Sequence, residues 1–353
     1  MWDDLCSIET LFKAYKKASK SRRSRFDVAA FEYNLEENLF NLQKELQDRV
    51  YQHGQYHSFY IHDPKKRLIS AADFRDRIVH HALVSVLEPI YEKLFLPNSY
   101  ANRVGKGTHR AVKMCSSMMK RYRFYLFMDV RQFFPSVDHQ ILLDLLRKEI
   151  NDENILELSQ IILKSGEKVL NTQYDMNWFP NDDLFAKNRP RGLPIGNMSS
   201  QFWANVYLHG LDLFLVGSQA GEAWVRYVDD FIVFSNSKSD LHQIKSCTIR
   251  FLEKLRLVIH EGSAQPTPVS QGITFLGFRL FPGYKRLKRT KLINGWRKLS
   301  RSKRSFGEGY LPWKTFENQL KGWLNHVRYG NTWHLRNQIL RNLGVHVWQG
   351  PLA

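Results

Sequence analysis

Asp229 and Asp230 stand side by side in the run WVRYVDDFIVF (224–234), with apolar residues on both flanks. Two adjacent carboxylates between apolar strands are costly to bury unless positive charge accompanies them. A pair of Mg²⁺ ions would supply that charge, because magnesium takes oxygen ligands and keeps positions open for substrate phosphates. The other reading is an ordinary acidic hairpin turn. One hundred residues earlier, Met128-Asp129-Val130 sets another acid at the end of a hydrophobic strand. For Asp129 the alternative is a structural, ion-paired aspartate. Two strands delivering carboxylates to one sheet edge would form a two-metal site for in-line phosphoryl transfer. One ion would activate the attacking hydroxyl and the other would steady the leaving phosphate.

The elements that must carry these acids follow from periodicity. Residues 122–130 (YRFYLFMDV) suit a buried strand, and 224–234 suit a β-hairpin whose turn holds Asp229 and Asp230. Apolar spacing at Phe31, Leu35, Leu39, Leu42 and Leu46 predicts one amphipathic helix over 31–50. Helices are also expected over 78–87, ending near Pro89, and over 139–163, 198–214 and 239–257. Residues 171–190 are polar and irregular, and 273–281 read as one strand. The basic segment that follows is expected to be helical, with a break near Gly307-Glu308-Gly309.

Composition narrows the class. The chain has 353 residues, 43% hydrophobic, with a net charge of +18. That is enough apolar material for two or three packed subdomains, and it excludes disordered and fibrous classes. The charge favours a polyanionic partner, nucleic acid before membrane. From Phe281 onward there are fifteen Lys and Arg against two acids, interleaved with Trp296, Trp313 and Trp323, so a folded basic subdomain is expected. Three unpaired cysteines support neither a disulfide framework nor a zinc site. No apolar run approaches a membrane span, and the N-terminus lacks an apolar signal core, which implies a cytoplasmic setting.

The ordered motifs resemble a known family. Residues 129–139 (DVRQFFPSVDH) are similar to the first catalytic motif of reverse transcriptases related to group II introns, and Tyr227-Val228-Asp229-Asp230 is similar to their second. Arg67-Leu68-Ile69-Ser70 through Asp76-Arg77-Ile78-Val79 resembles the early fingers motif, and 100–108 (YANRVGKGT) the next one. Phe275-Leu276-Gly277-Phe278 resembles the later strand motif, so the likeness covers roughly residues 55–290. Most of these enzymes carry Gln-Gly-x-x-x-Ser-Pro where this chain has Ile195-Gly196-x-x-x-Ser200-Gln201. That variant, like the basic tail that follows, resembles the reverse transcriptases of diversity-generating retroelements.

The resemblance implies an α/β right-hand polymerase fold: fingers with N-terminal helices over 1–120, a palm with a small antiparallel sheet over 121–283, and a basic helical thumb over 284–353. A finger/palm insertion is expected at about 140–190. It implies an RNA-directed DNA polymerase that copies a template-repeat RNA into cDNA with frequent errors opposite adenine. Its partners would be template RNA, a cDNA or primer strand, dNTPs and a small basic accessory variability protein that oligomerises, with no membrane. Asp129 and Asp229 would bridge two Mg²⁺ ions, for which Mn²⁺ can substitute. Asp230 would support them and Val130 would add a backbone oxygen. Phe134 would exclude a ribose 2′-hydroxyl. Ile195 replaces a glutamine that hydrogen-bonds near the nucleotide sugar, and losing one such bond costs about 0.5–1.5 kcal/mol of discrimination; Gln201, at the end of the same motif, is a further candidate for nucleotide selectivity. Arg67, Arg77, Arg103 and Lys106 are candidate triphosphate contacts, although Arg77 could instead brace the fold. Lys285, Arg286, Lys288, Arg289 and Lys291 are candidate nucleic-acid backbone contacts. Relatives often have lysine before the Phe-Leu-Gly-Phe strand; His260 occupies that segment here. An antiviral defence reverse transcriptase and a non-catalytic RNA-binding or maturase-like protein are the competing readings.

Overall fold

The computed structural model describes residues 1–62, 66–218 and 220–344. The last stretch of the expected basic subdomain, 345–353, lies outside the described residues. The chain begins with α1 (Trp2–Cys6), α2 (Ile8–Ser19), α3 (Phe26–Tyr33) and α4 (Leu35–Gln47). The hairpin β1 (Tyr56–Ile61) and β2 (Arg67–Ala72) follows, then α5 (Phe74–Leu94) and α6 (Thr108–Arg121). The middle of the chain contains β3 (Phe124–Asp129), α7 (Phe133–Ser136), α8 (His139–Arg147), α9 (Glu153–Gly166) and α10 (Met198–Gly217). It continues through β4 (Trp224–Tyr227), β5 (Asp230–Ser235), α11 (Lys238–Lys254) and β6 (Thr267–Pro268). Last come β7 (Ile273–Phe275), β8 (Phe278–Phe281), β9 (Tyr284–Leu287), α12 (Arg289–Gly307), α13 (Trp313–Val327) and α14 (Trp333–Asn342).

The central sheet runs β4-β5-β3-β6, all antiparallel. Both of its faces are covered, which explains the unbroken apolar runs. Along β5, Phe231 and Val233 enter the large core built with α5, α10 and α11. Ile232 and Phe234 enter a second core with Ala111, Val112, Cys115 and Met119 of α6 and with Phe275, Phe278 and Leu280. A third small core holds the basic helices together through Leu299, Leu320, Ile339, Leu340 and Leu343. No helix among the described residues is long and apolar enough to cross a membrane.

Several expected elements come out differently. The helix expected over 31–50 breaks at Asn34 into α3 and α4, where the Asn38 side chain donates to the Phe31 carbonyl at 3.0 Å. The helix expected to end near Pro89 continues to Leu94. Buried Leu87 and Tyr91 flank the proline, and their packing outweighs one lost backbone bond. The single strand expected over 273–281 is a hairpin, β7–β8, whose turn residues Leu276 and Gly277 both have positive φ (48° and 88°). A turn of that kind usually announces itself as Asn-Gly or Asp-Gly; the leucine concealed it. The segment expected to be wholly helical from residue 284 opens with strand β9, paired to β8. Lys285 and Arg286 therefore lie on a strand, Lys288 caps α12, and Arg289 and Lys291 start that helix. The break near Gly307-Glu308-Gly309 is present between α12 and α13.

Leu83 of α5 is fully buried in the large core. Leu83→Ala is expected to lower the unfolding free energy by about 2–5 kcal/mol, measurable as a reduced urea midpoint.

Candidate active site

The strand register assembles the acids. Asp129, the last residue of β3, pairs with Asp230, the first of β5, and Asp230 also pairs with Tyr227 of β4. One step on, the Val130 N–H donates to the Asp229 carbonyl at 3.3 Å. Asp129, Val130, Asp229 and Asp230 thus occupy neighbouring positions at one edge of the sheet. On the other side of β3, the His260 N–H donates to the Asp129 carbonyl at 3.0 Å and the Arg131 N–H to the Val258 carbonyl at 2.7 Å. Arg131 and residues 258–263 line an open groove of about 600 Å³ beside the acids. Hard carboxylate and carbonyl oxygens are the donors that magnesium prefers. Among the described residues, no group of three or more His, Cys, Asp or Glu is gathered into a metal cage, so the fit lies in the donor chemistry and the backbone register.

The acidic turn rests on a buried ion pair that the sequence analysis did not single out. Arg226 of β4 and Asp212 of α10 are both fully buried. Arg226 Nε and Nη2 donate to the two Asp212 oxygens at 2.7 and 2.6 Å, a bidentate pair. Its Nη2 also reaches Ser99 Oγ at 3.0 Å, and Nη1 reaches Asn205 Oδ1 at 3.2 Å and the Val228 carbonyl at 3.1 Å. Val228 has φ 57°, a conformation that a β-branched residue adopts only under constraint. The guanidinium holds the carbonyl of that strained residue, which immediately precedes Asp229.

The loop 191–197 is stitched to both α7, just after the acids' strand, and the first hairpin. The Leu193 N–H donates to the Phe134 carbonyl at 2.8 Å, and the Ser70 N–H donates to the Ile195 carbonyl at 2.8 Å. Asn197 donates to the Ser70 and Pro194 carbonyls at 2.8 and 3.0 Å and accepts from the Ala72 N–H at 3.0 Å. Gly196 has φ 121°, and a Cβ there would lie 2.9 Å from Ile69 Cγ2, so the close approach to β2 requires glycine. Phe134 and Ile195 are half-buried, and Gln201 is half-buried in the first turn of α10. The neighbouring Ser199 hydroxyl is hydrogen-bonded to His80 Nδ1 at 2.6 Å. Burial, then the adjacent His53 and His81, hold His80 well below the ordinary histidine range.

The candidate cations separate. Arg67 lies exposed on β2, three residues before Ser70. Arg77 is buried, and its Nε donates to the Ala72 carbonyl at 2.7 Å. Arg103 is committed to Glu92, with its closest contact 2.8 Å, and to the Leu96 and Ser99 carbonyls. Lys106 Nζ donates to the Pro97 carbonyl at 2.7 Å. Arg77, Arg103 and Lys106 thus each donate to carbonyls within the fold, and Arg103 also pairs with Glu92. Lys245, unforeseen from the sequence, reaches the Glu261 carbonyl at 3.0 Å, next to His260. Arg286, Lys288, Arg289 and Lys291 are exposed and Lys285 is half-buried.

A sequence profile described as "Reverse transcriptase (RNA-dependent DNA polymerase)" matches residues 61–280. The chain belongs to the reverse transcriptase family. Its helices and small antiparallel sheets form the right-hand polymerase architecture of that family. Reverse transcriptase domains of this kind generally use divalent metal ions. Similar proteins include the group II intron-encoded protein LtrA of Lactococcus lactis subsp. cremoris, 27% identical over 57% of this chain and 32% of its own length. Protein YkfC of Escherichia coli (strain K12) is 24% identical over 61% of this chain and 63% of its own. The nuclear intron maturase 1 of Arabidopsis thaliana mitochondria is 30% identical over 29% of this chain and 15% of its own. The chain therefore spans less than two thirds of each of these relatives.

Asp212→Ala leaves the Arg226 charge buried without its carboxylate and is expected to destabilise the fold by about 3–5 kcal/mol. The double substitution Arg226→Met/Asp212→Leu is expected to recover most of that stability while leaving the Val228 carbonyl without its donor, so nucleotide addition stays impaired. Chemical denaturation paired with primer extension checks both.

Proposed function

We propose that this chain is an RNA-directed DNA polymerase, with Asp129, Asp229 and Asp230 as its catalytic carboxylates. The observation that carries the reading is the pairing of Asp129 with Asp230, one step from Val130 bonded to Asp229, within a reverse transcriptase chain. Asp129, Asp229, Asp230 and the Val130 carbonyl would hold two Mg²⁺ ions, or Mn²⁺ in their place. When bound, these ions activate the primer hydroxyl and neutralise the developing phosphate charge. Phe134 stands as the gate against ribonucleotides, and Arg67 as the candidate triphosphate contact, the other three cations being engaged within the fold. In this reading the fingers run over 1–120, the palm over 121–283 and the thumb from 284, with β9 extending the sheet across the palm–thumb boundary.

The finer role we propose is mutagenic copying of a template-repeat RNA for a diversity-generating retroelement, in the cytoplasm and with a small basic oligomeric accessory protein. Its support is Ile195. A backbone bond fixes that residue beside β2, and its side chain offers no polar atom. A maturase-like, RNA-binding role is the second reading, favoured by the intron maturases among the similar proteins.

Primer extension on an RNA template with Mg²⁺ and dNTPs tests the reading, run with the accessory protein present and followed by sequencing. Wild type is expected to make cDNA with errors concentrated opposite adenine, and Asp229→Ala to make none while still binding RNA. Ile195→Gln is expected to raise fidelity several-fold, the equivalent of about one neutral hydrogen bond of roughly 0.5–1.5 kcal/mol. Accurate cDNA from wild type would remove the mutagenic role and favour a defence polymerase; absence of cDNA would favour the maturase-like reading.

A further inference from the structure

The turn that leads from β3 into α7 holds a backbone conformation that its residue type disfavours. Gln132, in the turn after Asp129, has φ 48° and ψ 44°, the left-handed region. A residue with a Cβ occupies that region at a cost, and glycine does so freely. The turn decides where two rings go. Phe133 is buried in the large core, and the half-buried Phe134 ring packs edge-on against it, with centroids 5.3 Å apart. The Gln132 carbonyl accepts from the Ser136 N–H at 3.0 Å and from the Ser136 hydroxyl at 2.8 Å. A change of conformation at Gln132 is therefore passed to Phe134 and to α7.

Gln132 is held from a distant part of the chain. Asp175, in the polar stretch between α9 and α10, closes a ring of two bonds with its side chain. The Asp175 N–H donates to Gln132 Oε1 at 2.9 Å, and Gln132 Nε2 donates to Asp175 Oδ2 at 3.1 Å. The same carboxylate oxygen accepts from Arg131 Nη2 at 2.6 Å. An exposed ion pair on a free loop contributes little. This loop is anchored beside Asp175 on both sides. The Tyr174 ring lies 4.1 Å from the Arg191 guanidinium, and Asp182 accepts two bonds from Arg256 at 2.6 and 2.8 Å. The bonds at Asp175 thus form without having to order the loop themselves.

We propose that Asp175 is a positioning residue for sugar selection. Through Gln132 and Arg131 it holds the turn in its left-handed form, and so fixes where the Phe134 ring stands against the incoming nucleotide. Asp175 acts through these neighbours and not on the reacting atoms. The inference rests on the polymerase reading above and on Phe134 as the gate. A residue that merely anchored the loop would lower stability or scale all activity together; it would leave the choice between deoxy- and ribonucleotide unchanged.

Single-nucleotide primer extension on an RNA template tests this, with the accessory protein present. The kcat and KM are measured for a dNTP and for the matching rNTP, alongside chemical denaturation of each variant. Asp175→Ala is expected to raise KM for the dNTP several-fold with a smaller change in kcat, and to lower the dNTP-to-rNTP ratio of kcat/KM several-fold. Gln132→Ala should do the same, because it loses the bonds and keeps a Cβ in the left-handed region. Gln132→Gly loses the same bonds but needs no support there, so its ratio should stay near wild type. The double variant Gln132→Gly/Asp175→Ala should likewise recover the wild-type ratio. A wild-type ratio in Asp175→Ala overturns the proposal, as does a ratio in Gln132→Gly as low as in Gln132→Ala. Should Asp175→Ala melt early, the contrast between the two Gln132 variants decides. If wild type extends no primer, the polymerase reading falls together with the inference. If wild type extends and discriminates, and the Asp175 and Gln132 variants match it, the inference alone falls.

Discussion

The buried pair between Arg226 and Asp212 is the constraint on which the rest of the site depends. An arginine with no exposed surface must place every donor, and this one does so on Asp212, Asn205, Ser99 and the Val228 carbonyl. Those partners come from α10, the turn after α5 and the acidic hairpin. A buried ion pair adds little net stability over an apolar replacement, because desolvation offsets much of the attraction. What it does supply is a defined geometry: the hairpin can dock on α10 in one register only. The backbone repeats the instruction, with Arg226 bonded to the carbonyl of Asn98 and the N–H of Tyr100.

Helix α10 thereby connects two functions. Its interior anchors the turn that carries Asp229, while its N-terminal loop carries Ile195 and packs on β2 through Asn197. A shift of that helix would move both together. The polar site sits at the rim of an apolar slab, since the strands delivering the acids are buried on both faces. Rigidity of the sheet and polarity of its edge are separate properties of the same few residues.

Much of this was legible in the sequence where local chemistry and local structure agree. Aromatic and β-branched runs mark β3 and the β4–β5 hairpin, and the acids at their ends mark the site. The long helices followed from apolar spacing, with errors of detail: Asn34 split one helix, Pro89 failed to end another, and the stretch expected to be helical over 139–163 is interrupted at 148–152, between α8 and α9. Arg226 was hidden because a lone arginine in a short strand gives no sign of its partner, and Asp212 lies on the apolar stretch of a different element. Arg103 and Lys106 read as triphosphate contacts because nothing in the sequence marks the carbonyls of residues 96, 97 and 99 as their acceptors. Arg67 stands apart because its strand leaves it exposed. The β7–β8 turn was missed because a leucine took one of its two left-handed positions.

The order of the central strands has a consequence for how the molecule is made. β4 and β5 pair across a two-residue turn, but their acids meet Asp129 only when β5 adds to β3, which closes a loop of about a hundred residues. α10, which clamps the turn through Asp212, is also made before the hairpin it holds. A nascent chain therefore carries a finished β3 with an exposed apolar edge until residue 235 has emerged and the hairpin can dock. Long-range pairing of this kind slows folding and leaves aggregation-prone edges open in the interval. The polar rim is complete only after that docking, so a ribosome-bound chain shorter than this has the first carboxylate and no site.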